Sequence, residues 1–86
     1  MVKLMTKVLF DDNFGKTLNK IKDSSLKEKI RKQVLKIIEN PEVGKPMKHS
    51  RKGTREVYIR PFRLSYVYFK EEGRLVFLDF YHKDEQ

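Results

Sequence analysis

Three arginines stand in the most sheet-like stretch of this chain, TREVYIRPFRLSYVYF, from Thr54 to Phe69. Arginine carries a planar fork that binds phosphate or carboxylate through two parallel hydrogen bonds, so guanidiniums held on rigid strands suit a phosphate. Side chains alternate along a strand. Arg55 therefore shares a side with Val57 and Ile59, and Arg60 shares the other with Glu56 and Tyr58. Arg60 and Arg63 flank Pro61-Phe62, where two guanidiniums on a strand-to-strand turn can grip one phosphate. Two readings of Arg55 stand: a rim residue paired with an acid, or a nucleic-acid contact.

The tail LDFYHKDEQ adds Tyr81, His82 and Lys83. Val76, Leu78, Phe80 and His82 alternate there with Phe77, Asp79, Tyr81 and Lys83. A C-terminal strand is expected to bring His82 beside Arg63, with Tyr81 and Lys83. Such a set has the chemistry of RNA cleavage. One group takes the 2′-OH proton, the oxygen attacks the adjacent phosphate, and arginine and lysine stabilise the extra charge on phosphorus. Tyr81 is placed to stack on a base. His49, His82 and the scattered acids lack ligand spacing, so no metal or other cofactor is expected.

The loop PEVGKPMKHSRKG supplies Lys45, Lys48, His49, Arg51 and Lys52 within eight residues. By itself this is a solvated basic loop. Because it leads directly into the arginine-bearing strands, Lys45, Lys48, Arg51, Lys52 and Arg55 become candidates for holding an RNA backbone. Each phosphate contact would make binding salt-dependent through counterion release.

These residues sit in a chain of 86, the size of one domain, spanning residues 1–86. The net charge of +8 predicts a polyanionic partner. The first 53 residues hold fourteen Lys/Arg against six Asp/Glu, and the remainder six against six, so the aromatic sheet segment is neutral. The absence of cysteine excludes disulfides, thiolate catalysis and cysteine zinc sites. With no apolar run near the ~18 residues of a membrane span and no secretory leader pattern, the expectation is a cytoplasmic protein without a membrane partner.

The positioning elements follow from periodicity. A short strand around Val2, Leu4, Val8, Leu9 and Phe10 leads to a helix capped by Asp11 or Asp12, with Phe10, Phe14, Leu18 and Ile21 as its stripe. A second helix has a capping-box spacing at Ser25 and Glu28 and an apolar face of Leu26, Ile30, Val34, Ile37 and Ile38. Asn40-Pro41 ends it. The two or three residues between the helices predict an antiparallel hairpin. Strands over Thr54–Arg60, Phe62–Lys70 and Arg74–Tyr81 follow, the last two joined by a turn at Glu71-Glu72-Gly73. The fold class is α+β: an N-terminal strand, an antiparallel helix hairpin, and a three-stranded antiparallel sheet completing one mixed sheet.

Asn40-Pro41, the Gly44-Lys45-Pro46-Met47-Lys48 loop and Phe62-Arg63-Leu64-Ser65-Tyr66, in this order over nearly the whole chain, resemble the RelE/ParE toxin superfamily, most of all the RelE-like mRNA interferases of archaeal type. The resemblance implies a type II toxin that enters the ribosomal A site, cuts mRNA without a cofactor and is blocked by a RelB-like antitoxin. By the same resemblance Arg63 contacts the scissile phosphate, His82 or Lys83 supplies the C-terminal basic group, and Lys45 and Lys48 are the loop lysines. Some positions depart from the pattern. Lys45 stands where some members place an acidic general base, Glu56 and Tyr58 stand where RelE has basic residues, and the tail is short and acidic. Two other readings share these features: a ParE-like gyrase inhibitor and a non-catalytic RNA- or ribosome-binding module.

Overall fold

The computed structural model of the chain describes residues 6–48 and 53–82. Strand β1 (Lys7–Phe10) is followed by helices α1 (Asp12–Lys20) and α2 (Ser24–Glu39), then by strands β2 (Lys45–Pro46), β3 (Arg55–Ile59), β4 (Phe62–Phe69) and β5 (Arg74–His82). The five strands form one sheet in the order β1-β5-β4-β3-β2. β1 runs parallel to β5 and all other neighbours are antiparallel. This is the expected α+β arrangement with one addition. The Lys45-Pro46 pair, expected as loop, adds an edge strand to β3. Val2 and Leu4, expected in the first strand, lie outside the described residues.

Both helices start on an aspartate. Asp11 accepts from Asn13 N–H at 2.9 Å. Asp23 Oδ1 accepts from Ser25 N–H at 2.9 Å and Leu26 N–H at 3.3 Å. The expected Ser25–Glu28 capping box is not the one used, because Asp23 already satisfies the first-turn donors. Glu28 instead forms a two-pronged pair with Arg31, at 3.1 and 2.6 Å, which holds its carboxyl below the usual range.

α1 packs on β5 and α2 on β3. Between helices and sheet lie Phe14, Ile30, Ile37, Ile59, Leu64, Tyr66, Leu75, Phe77 and Phe80. Phe14 joins the aromatic packing from α1, with ring centroids 5.2 Å from Phe80 and 5.7 Å from Phe77. Phe77 and Phe80 are both buried, which strict alternation along a strand forbids. A bulge resolves this: Ser65 pairs with Asp79 and Tyr66 with Phe77, so Leu78 is an extra residue on β5. Asp79 stabilises the bulge, its Oδ1 accepting from Phe80 N–H at 2.8 Å and from Thr17 of α1 at 3.1 Å. Gly73 closes the β4–β5 turn at φ +61°, a left-handed conformation that glycine takes without steric cost.

Candidate nucleic-acid interface

Cross-strand pairs point to one side of a sheet, so the register decides which residues meet on the face away from the helices. Tyr58 pairs with Arg63, and Arg63 with Tyr81; Glu56 pairs with Ser65 and with Lys45. On this open face a groove of about 710 Å³ is lined by Lys45 and Lys48 on one side and by Tyr58, Arg60 and Arg63 on the other, with Glu56 at its floor. Lys45, Lys48 and Arg60 are exposed. Four cationic side chains thus surround one carboxylate.

Glu56 is buried, at 7% exposure. Its Oε2 accepts a short hydrogen bond from the Tyr81 hydroxyl. Its Oε1 lies 3.6 Å from Arg63 Nη1. The carboxylate therefore ties the two residues that the register sets side by side. Removing a carboxylate so placed would leave a half-buried hydroxyl and a guanidinium to find other partners. Sequence reasoning put Glu56 on the same side as Tyr58 and Arg60 and assigned it no role. The signal was an acid on the polar side of the strand between the arginines, and its meaning depended on β5.

Several expected site residues stand elsewhere. Arg55 belongs to the helix side of the sheet, opposite Tyr66, and its Nη1 donates to the carbonyls of Glu42 at 3.0 Å and Gly44 at 2.9 Å. Its partners are backbone carbonyls of the loop, on the face opposite the groove. His82 pairs with Phe62 and rests edge-on against that ring, 5.7 Å between centroids. It lies on the helix-side face, so β5 brings Tyr81, not His82, beside Arg63. The Leu78 bulge is the physical reason, because it sets which residues of β5 join Phe77 and Phe80. Tyr81 uses its hydroxyl on Glu56. Arg51, Lys52 and Lys83, with His49, lie outside the described residues. Among the described residues no group of three or more His, Cys, Asp or Glu could hold a metal ion.

The loop that carries Lys45 and Lys48 is anchored from below by Tyr66. Its hydroxyl donates to Pro41 O at 2.8 Å and accepts from Gly44 N–H at 2.8 Å. A Cβ at position 44 would stand 2.5 Å from that oxygen, which is why glycine is required there. Burial pushes the Tyr66 phenol above its ordinary value, partly offset by the Gly44 N–H and the Arg55 charge, so it stays protonated and able to donate. The Gly-Lys-Pro pattern thus has a mechanical basis: glycine permits the anchor, and the next residues pair with β3 and lead Lys48 into the groove.

Comparison with known proteins places this fold. The sequence model of the ParE toxin of the type II toxin-antitoxin system parDE matches residues 8–86. The chain belongs to this family, within the RelE/ParE superfamily, and is a toxin of a type II toxin-antitoxin system. Solved structures agree in fold. The toxin–antitoxin complex RelBE2 of Mycobacterium tuberculosis contains a chain matched with TM-score 0.78 at 22% identity, covering 93% of this chain and 100% of that one. The YoeB/ParE toxin of Agrobacterium tumefaciens matches with TM-score 0.78 at 17% identity, covering 90% and 98%. The intact Escherichia coli RelBE complex matches with TM-score 0.72 at 18% identity, covering 87% and 93%. Among curated proteins no sequence match is found. No described helix is long and apolar enough to cross a membrane.

Proposed function

We propose that this toxin is a ribosome-dependent mRNA endonuclease that works without a metal and arrests translation, and that a RelB-like antitoxin restrains it. The observation that carries the reading is the meeting of Lys45, Lys48, Arg60 and Arg63 around one groove, with Arg63 tethered to a buried carboxylate. Exposed lysines and Arg60 bind the RNA backbone. Arg63, held on the rigid β4–β5 pair, stabilises the negative charge on the phosphorane oxygens as the 2′-oxygen attacks and the P–O5′ bond breaks. This leaves a 2′,3′-cyclic phosphate and a 5′-oxygen that takes its proton from water. Glu56 is the one carboxylate lining the groove among the described residues, and it accepts the 2′-OH proton by way of Tyr81. The antitoxin covers the same basic face with an acidic or amphipathic segment, in keeping with relatives solved as toxin–antitoxin complexes.

One observation favours a second reading. The family whose model matches is ParE, and the histidine expected beside Arg63 faces the other way. A ParE-like protein would inhibit DNA gyrase and leave RNA uncut. Mapping new mRNA 5′ ends in a translating extract separates the two. Cuts at ribosome-occupied codons, reduced a hundredfold or more by Arg63→Ala, are the expected result, since loss of one charge-stabilising donor costs about 3 kcal/mol. Intact mRNA with disturbed DNA topology would transfer the protein to the gyrase reading. Intact mRNA and intact topology would leave a binding module.

A further inference from the structure

The groove does not end at Arg60. A second groove of about 280 Å³ begins on the same two residues, Tyr58 and Arg60, and runs to Lys29, Lys32 and Gln33 of α2. Lys29 and Lys32 are exposed and, three residues apart, lie on one helix face. Among the described residues no ion pair within 4.0 Å engages Lys29, Lys32 or Arg60. No acid lines the second groove, whereas Glu56 lines the first. Between them Tyr58 stands on the open face at 49% exposure, its ring accessible to both grooves.

We propose that the two grooves form one path for single-stranded RNA. The strand passes from Lys45 and Lys48 across Arg63 and Arg60, stacks a base on Tyr58, and places its next phosphates against Lys32 and Lys29. An aromatic ring between two cationic stretches is the arrangement that binds single strands: the ring takes a base by its π-face, and the cations follow the backbone. A folded acidic protein could use the same lysines and ring, since tyrosine is also enriched at protein interfaces, and comparison with polyglutamate separates the two. The proposal rests on reading the first groove as a phosphate-binding surface. It does not depend on cleavage.

The test uses 2′-O-methyl oligonucleotides, which cannot be cut, of five and twelve nucleotides, followed by fluorescence anisotropy. The wild-type chain should bind the twelve-mer more tightly than the five-mer. K29E/K32E should abolish that gain, leave five-mer affinity within about twofold, and lower the twelve-mer's log–log salt slope by about 1.4, at roughly 0.7 for each phosphate no longer neutralised. K16E/K20E changes the net charge equally at exposed positions of α1 outside both grooves, and should leave the length gain in place. Tyr58→Ala should weaken twelve-mer binding roughly tenfold. Circular dichroism confirms that each variant is folded. An unchanged length gain in K29E/K32E, or an equal loss in K16E/K20E, would overturn the path while sparing the first groove. Failure of the wild type to bind even the five-mer would overturn the groove reading itself. If K29E/K32E lost affinity for polyglutamate and kept it for the twelve-mer, α2 would be a protein-docking face instead.

Discussion

Tyr66 shows how much of this protein's architecture passes through one hydroxyl. It is fully buried, yet both of its hydrogen bonds go to the loop that presents Lys45 and Lys48. Tyr66→Phe would keep the ring packing and leave Gly44 N–H and Pro41 O without that partner. A loss of about 1–3 kcal/mol is expected in urea unfolding, the cost of orphaning buried polar groups. The pH dependence has a definite sign. Burial raises the phenol's pKa in the folded chain above its ordinary value of 10.0. The stability it contributes is complete below the unfolded value and disappears as pH rises through the folded one. Wild-type stability should therefore fall on the alkaline side of 10, and the Phe variant should lose less over that range. An identical alkaline decline in both would show that Tyr66 does not titrate with folding. Arg55 belongs to the same anchor, because its two carbonyl contacts tie the Glu42–Gly44 segment to β3.

At the scale of elements, helix ends and strand register do different jobs. The caps decide where helices begin. Asp23→Ala should cost about 1 kcal/mol, because two N–H groups of α2 lose their acceptor. Ser25→Ala should stay within about 0.5 kcal/mol, as surface changes away from such features do. Equal losses would mean that the capping box forms in solution. The register decides which chemistry meets. Helices, the three long strands and the Gly73 turn were legible because each is a local pattern of apolar spacing, caps and breakers. The Leu78 bulge was not legible. It serves the packing of Phe77 and Phe80 against Phe14, and that need arises only when α1 lies on β5.

At the scale of the whole molecule, the charge divides unevenly along the chain, yet the groove draws on both parts. Lys45 and Lys48 come from the basic first part, Arg60 and Arg63 from the neutral second part. The grouping predicts a measurable electrostatic footprint. With four cations each meeting one phosphate, log affinity for a five-nucleotide RNA should fall against log salt with a slope of about −3, at roughly 0.7 per phosphate. Replacing any one of the four with alanine should reduce the slope by about 0.7. A slope near zero, with binding preserved, would point to a partner held by apolar contacts instead.

Sequence alone determined the α+β class, the helix hairpin, the order of the strands along the chain and the superfamily, because periodicity, caps, turn residues and motif order are all local. It also singled out Arg63, Lys45 and Lys48, which carry the motif. The tertiary structure decided which side each residue faces and what it meets there. It turned Arg55 to the loop carbonyls, set His82 against Phe62, and brought Tyr81 and Glu56 to Arg63. The physical reason is that side-chain direction in a sheet alternates with every residue. One inserted residue, Leu78, reverses it, and the burial that favours the insertion exists only once the helices and sheet have packed together.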